Sequence, residues 1–243
     1  MVSYAFERVK RGLRKFGVLR PLNRHEYRSV WNSVSADLKE AMVSVQGSSD
    51  ENQFAVSAKA TVETLKECVG IYPTDTVLEI GAGVGRVGDL LAPLCKEWIA
   101  TDVSDHMLTH LSRRLAKQPN IRTILTNGFD LSPIESGSVD LVYCTIVFMH
   151  LDEWERFNYV REGLRILKPG GRMLVDNFSL TTDAGWDFFV KNMQMYSPAN
   201  RPPNISKSST PQELFLYFEK AGFRNIAQRT GATLITTFGT KPR

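Results

Sequence analysis

Residues 77–86 read Val77-Leu78-Glu79-Ile80-Gly81-Ala82-Gly83-Val84-Gly85-Arg86. An apolar run enters a Gly-x-Gly-x-Gly turn and then a stretch of helical character. The apolar run suits a buried strand. The glycines permit a tight turn and let a ligand approach the backbone. A helix opening directly after the turn presents free N–H groups to an anion. The dinucleotide fingerprint, Gly-x-Gly-x-x-Gly, requires glycine at position 86, where this chain has Arg86. The spacing therefore predicts a different nucleoside ligand.

Working outward, strand and helix patterns alternate. Strands are expected over 76–80, 98–102, 122–126, 141–145, 173–176, 224–228 and 233–238, and helices near 84–93, 104–117, 152–167, 183–194 and 211–221. This alternation predicts an α/β fold with a mostly parallel sheet covered on both faces. Residues 229–232 alone separate the last two strands, so a hairpin and one antiparallel strand are expected. Thr210-Pro211-Gln212-Glu213 reads as a capping box with proline at the first helical position. Asp152 to Glu155 is a weaker version of the same box. Upstream, a helix over 51–69 carries Phe54, Ala58, Val62, Leu65 and Val69 on one face, and Gly47-Ser48-Ser49-Asp50 is a loop. Residues 22–50 show no clear period, with Tyr27 and Trp31 as their notable aromatics. The division is an N-terminal helical and basic cap, 1–70, and a main domain, 71–243.

The chain has 243 residues, 42% hydrophobic and 23% charged. These proportions suit a soluble globular protein and exclude a disordered chain, a collagen or a disulfide scaffold. Cys68, Cys95 and Cys144 have no C-x-x-C spacing, so free thiols are expected and a zinc site is not. The most apolar run, 139–149, contains Asp140 and is too short to span a bilayer. No apolar core follows the N-terminal charges, as a secretory signal needs. A cytoplasmic location is the expectation.

The net charge of +4 is uneven: residues 1–30 hold eight Lys/Arg against two Glu, leaving −2 for the remainder. Without a basic main domain, no nucleic-acid partner is expected. Val2, Phe6, Val9, Leu13 and Phe16 form an apolar stripe in a basic segment that Pro21 should end. Such a helix over residues 1–20 can contact an anionic membrane, guide an anionic substrate, or dock on the body with a solvated basic back.

Two further motifs bear on a ligand. Asp102 ends the strand after the glycine turn, 19 residues beyond Gly83, where a carboxylate can accept from both ribose hydroxyls. Asn127-Gly128-Phe129-Asp130 follows the third strand. Gly128 and Phe129 can hold one face of a flat base and Asp130 can accept its exocyclic amine, or the four residues form an ordinary turn.

The glycine loop, Asp102, Ser138-Val139-Asp140-Leu141-Val142-Tyr143-Cys144 and Leu167-Lys168-Pro169-Gly170-Gly171-Arg172 occur in the order of class I S-adenosylmethionine-dependent methyltransferases. The chain resembles their small-molecule, type 11 branch over roughly residues 72–243. The resemblance implies a Rossmann-like doubly wound seven-stranded sheet of order 3-2-1-4-5-7-6, its last strand antiparallel. It implies S-adenosyl-L-methionine as cofactor and S-adenosyl-L-homocysteine as product. It assigns Glu79, Gly81, Gly83 and Gly85 to the cofactor's amino-acid end, Arg86 to its carboxylate and Asp102 to the ribose. Val103 and Met107 would flank the adenine, with Phe129 and Asp130, beside Gly128, on its other side. Thr145 would lie along the methionine portion.

The implied reaction is an in-line methyl transfer to O or N of a small-molecule or lipid-linked acceptor. The competing readings are a non-catalytic S-adenosylmethionine-binding protein and an NAD(P)-dependent oxidoreductase. His150, just beyond the fourth strand, is the expected base, or else it hydrogen-bonds backbone there. Asp176 and Asn177, ending the fifth strand, would contact the acceptor. No metal is expected, because Thr145 stands where metal-dependent relatives carry an acid. Residues 178–210, with Phe178, Trp186, Phe188, Phe189 and Tyr196, would form the acceptor pocket, and the N-terminal segment would close over both sites.

Overall fold

The computed structural model describes residues 26–243. The basic stripe of residues 1–20 and the helix end at Pro21 lie outside them.

Eight strands form one sheet: β1 (Thr76–Ile80), β2 (Glu97–Asp102), β3 (Ile121–Leu125), β4 (Val139–Cys144), β5 (Leu167–Ser179), β6 (Ser208–Ser209), β7 (Arg224–Thr230) and β8 (Leu234–Thr240). Their order is β3-β2-β1-β4-β5-β8-β7, with β6 pairing the end of β5. Leaving aside two-residue β6, this is the expected seven-stranded order. β8 runs antiparallel to β5 and also to β7, to which residues 231–233 join it as a hairpin. The central strands are apolar on both faces, and two cores result. One face packs Leu78, Ile80, Phe148 and Phe218 with their neighbours, the other Val77, Trp98, Leu111 and Tyr143.

Five elements depart from expectation. Helices α1 (Tyr27–Ser33) and α2 (Leu38–Gln46) occupy the segment read as aperiodic. Both are short, so few apolar positions repeat. The termini of α2 were nonetheless marked: Asp37 accepts from the Glu40 N–H, and Gly47 closes the helix at φ +81. Helix α3 (Glu51–Cys68) follows as read. The helix expected over 84–93 shrinks to α4 (Gly88–Leu91) and a 3-10 turn, Ala92–Leu94. Gly83 and Gly85 have positive φ, which keeps this stretch a turn through Val87, and no helix opens beside Gly85 to present its N–H groups. Strand β5 begins at Leu167, not 173, with a register shift against β4 that sets 168–171 out of the pairing.

The remaining helices are α5 (Asp105–Arg114), α6 (Glu153–Ile166), α7 (Asp183–Met195) and α8 (Pro211–Ala221). At α6 the Asp152–Glu155 box is complete in both directions. At α8 Thr210 caps the Glu213 N–H, while the Glu213 carboxylate turns to Arg156 and Tyr217.

Candidate active site

The sheet order reverses between β1 and β4, and ligands of open α/β sheets bind at the carboxyl ends of strands beside such a point. The chain leaves β1 there through Gly81 at φ +71 and Gly83 at φ +55. A Cβ on Gly81 would stand 2.4 Å from Val147 Cγ2, and one on Gly83 2.8 Å from Val45 Cγ2. Only glycine lets the loop pass under these neighbours. Gly85 serves a different purpose. Its Cβ would meet Leu111 and Leu115 at 2.9 Å, so it seats α5 and stays out of the cavity wall.

Parallel pairing sets Asp102 at the end of β2 beside this loop. Its Oδ2 accepts from the Gly83 N–H and its Oδ1 from the Ser104 N–H, both at 2.8 Å. Burial pushes its carboxyl up to about 6 against those two bonds. On β1, Glu79 Oε2 accepts from the Tyr143 hydroxyl at 2.5 Å, and Tyr143 in turn accepts from the Trp98 indole at 3.1 Å. Burial lifts Glu79 to about 7.

Around these groups lies a first cavity. Of the expected site residues, Glu79, Gly81, Gly83, Arg86, Asp102, Val103, Met107, Gly128, Thr145 and His150 line it. Phe129 and Asp130 do not. The Asn127 side chain accepts from both of their N–H groups, making a turn that leaves Phe129 53% exposed. Asp130 spends its carboxylate on Asn127 and the Ser132 N–H. The reading as an ordinary turn is the one the geometry matches, with Gly128 alone reaching the cavity. Tyr27, Trp31 and Val45, from the two helices the sequence did not reveal, close the remaining side.

A second cavity of about 640 Å³ adjoins the first and shares Arg86, Thr145, Ile146 and His150 with it. Met149, Leu174, Phe178, Phe188 and Leu234 give it apolar walls, Ser57, Thr61, Thr64 and Thr236 line it with hydroxyls, and the segment after α7 adds Asn204 and Ser206. Phe178 and Phe188 stack at 3.9 Å. Trp186 and Phe189 pack against each other on the surface instead. The alternation of β5 sends Asp176 into this cavity and Asn177 to the opposite face. Asn177, expected beside an acceptor, donates from its buried amide to Ser209 Oγ at 2.7 Å.

His150 Nδ1 lies 2.9 Å from the Asn204 carbonyl, and the ring meets Trp31 edge-on at 4.8 Å. A carbonyl only accepts, so Nδ1 carries the proton and Nε2 the lone pair. Burial lowers the imidazole to about 4, so it is neutral at pH 7. Burial raises Asp176 to about 7. Among the described residues no three His, Cys, Asp or Glu side chains are grouped to hold a metal ion, and no helix is long and apolar enough to cross a membrane.

The sequence profile of the methyltransferase domain family matches residues 78–175, the stretch that carries Glu79, the glycine loop, Asp102, Thr145 and His150. Residues 78–175 are a class I methyltransferase domain. A probable S-adenosylmethionine-dependent methyltransferase of Mycobacterium tuberculosis is 33% identical over 152 residues, 62% of this chain and 49% of that protein. The thiol S-methyltransferase TMT1A of Homo sapiens is 26% identical over 150 residues, 60% of this chain and 59% of that one. The matched segment thus spans about half to three-fifths of these relatives. Among solved structures, Haemonchus contortus phosphoethanolamine N-methyltransferase 1, bound to phosphoethanolamine and S-adenosylhomocysteine, aligns with a TM-score of 0.62 over 90% of this chain and 49% of that chain. At 16% identity that likeness shows the fold.

The methyltransferase domain implies S-adenosylmethionine, and the residues present fit it. The Thr145 hydroxyl is buried in the wall of both cavities with no protein partner. Buried polar atoms are rarely left so unless a ligand or water completes them. The glycine cradle and the buried Asp102 carboxyl beside it suit the sugar end of a nucleoside.

Proposed function

We propose that this protein transfers a methyl group from S-adenosylmethionine to a small-molecule acceptor held in the second cavity. The observation that carries this reading is the junction of the two cavities. One is built around a ribose-type carboxylate, the other mixes apolar side chains with the polar groups of Thr61, His150, Asp176 and Asn204, and they meet at Thr145, Ile146 and His150. When bound, S-adenosylmethionine supplies a methyl group already activated on a sulfonium. The chain's own task is alignment and exclusion of water.

Each Asp102 oxygen keeps a second lone pair beside its backbone bond, enough to accept from two ribose hydroxyls. Val103, Met107 and Gly128 form the slot for the base. Glu79, Gly81, Gly83 and Thr145 face the amino-acid end, with the Arg86 guanidinium as the cation for its carboxylate. Arg86 Nη1 is held by Thr61 Oγ1 at 3.1 Å and has no carboxylate within ion-pair distance among the described residues. His150 Nε2 is the proton acceptor for an acceptor hydroxyl or amine, and Asp176 is the acid on the acceptor side. A lipid-linked acceptor would bring peripheral contact with an anionic membrane through residues 1–20. Vesicle sedimentation with and without that segment tests this part.

The deciding experiment is calorimetry with S-adenosylmethionine, S-adenosylhomocysteine and NAD on wild type and Asp102→Ala. Micromolar binding of the first two, weakened at least about tenfold in the variant, supports the reading; tenfold is about 1.4 kcal/mol. Binding of NAD alone, or of none of the three, rejects it.

A further inference from the structure

Ile146 sits between the two cavities with φ +61. A β-branched residue crowds its own backbone in that left-handed region, and such a conformation persists only where the surroundings enforce it. A buried carboxylate meets its backbone here. The Ile146 N–H donates to Asp176 Oδ1 at 2.7 Å, across 30 residues of chain. Asp176 is buried on β5 and lines the second cavity but not the first. The residues flanking Ile146 both face the nucleoside cavity. Thr145 carries the unpartnered hydroxyl, and Val147 Cγ2 lies over Gly81 so closely that a Cβ there would be 2.4 Å away.

We infer that Asp176 is a positioning residue. Its carboxylate clamps Ile146 in the left-handed turn, the turn seats Thr145 and Val147 against the glycine loop, and a group on the acceptor side thereby sets affinity in a cavity it does not line. The link to affinity rests on the proposed cofactor; the clamp does not. Asparagine at 176 keeps an oxygen that can accept from the Ile146 N–H, whereas alanine removes it. Glycine at 146 adopts the same turn without strain and no longer needs the clamp.

Two measurements separate these parts. In amide exchange on the ligand-free protein, a peptide covering residues 144–148 is expected to exchange slowly in wild type and Asp176→Asn, and at least tenfold faster in Asp176→Ala, with the remaining map unchanged. In calorimetry with S-adenosylhomocysteine, Asp176→Ala is expected to lose at least tenfold in affinity and Asp176→Asn no more than about threefold. Ile146→Gly with Asp176→Ala should return to within threefold of Ile146→Gly alone. Asp176→Leu, close in size but without an acceptor, replaces Asp176→Ala if that variant unfolds. Unchanged protection in Asp176→Ala overturns the clamp. Faster exchange with unchanged affinity, or asparagine behaving as alanine does, overturns the positioning role. A wild type that fails to bind the ligand refutes the cofactor reading, and the exchange result then still decides the clamp.

Discussion

Thr145 shows how a site residue can work against the fold that holds it. Its hydroxyl is buried without a partner, a state that costs about 1–3 kcal/mol. Thr145→Val replaces that oxygen by a methyl of nearly the same shape. Ligand-free Thr145→Val should therefore be more stable by about 1 kcal/mol, a rise of roughly 2–4 °C in the unfolding midpoint. Its affinity for S-adenosylhomocysteine should fall about tenfold. A variant that is both less stable and unchanged in binding would assign the hydroxyl to packing. His150 calls for a different substitution. Asparagine there can still donate to the Asn204 carbonyl but lacks the distal lone pair. Once an acceptor is found, His150→Asn should lower kcat at least tenfold with cofactor affinity unchanged; equal loss of both would make the ring structural. The two aspartates at strand or turn ends show what sequence can carry at this scale. Asp102 was legible because a strand, a glycine turn and a fixed separation converge on it. Asp130 offered the same residue type, but Asn127 closed the turn locally and drew the carboxylate away. Thr145's unsatisfied state and Ile146's positive φ leave no trace in the sequence, since both depend on what packs around them.

Among the elements, the central strands followed from short apolar runs buried on both faces, and the long helices from periodicity, because each buries one regular face. What escaped was the pair α1–α2, and it forms the roof of the nucleoside cavity. Trp31 meets His150, Val45 lies on Gly83, and Tyr27 lies on Gly128. The space beneath is only about 90 Å³, well under the roughly 300 Å³ at which small-molecule pockets begin. The roof must lift to admit a nucleoside and settle again over it. The 47–50 loop between α2 and α3 is the expected hinge, with Gly47 in the left-handed conformation and open space around it. Limited proteolysis checks this. Cleavage within 47–50 should slow at least about tenfold with saturating S-adenosylhomocysteine, as open states are depleted in proportion to binding. Equal cleavage rates would mean that the ligand enters by another route. The insertion 178–210 was half legible. Its aromatic content pointed to a cavity wall, but Phe188 turns inward and Phe189 outward, a difference of one position that composition does not encode.

At the scale of the molecule, the sheet buries three carboxyls beside its two adjoining cavities, Glu79 on β1 and Asp102 on β2 at the first and Asp176 on β5 at the second. Each has its proton affinity raised mainly by burial: Glu79 to about 7, Asp102 to about 6 and Asp176 to about 7. Unfolding releases them to ordinary carboxyls, which ionise near pH 4. Between about pH 4 and 7 the folded state therefore binds more protons than the unfolded one at these three positions. Their contribution to stability is full below pH 4 and is lost as pH rises through 6 and then 7. His150 acts in the opposite sense. Its imidazole is lowered to about 4, so it favours the unfolded state at low pH and ceases to do so as pH rises past about 6.5. Three groups outweigh one, and above pH 6.5 only the carboxyls still titrate. The ligand-free protein should thus have a higher unfolding midpoint at pH 5 than at pH 8 in 0.15 M salt. Asp102→Asn should flatten the fall between about pH 4 and 6, and Asp176→Asn the fall between about pH 4 and 7. A midpoint that climbs steadily from pH 5 to 8 would show that these carboxyls are already satisfied as anions, and the site would then be built to hold charge rather than waiting for a ligand to share it.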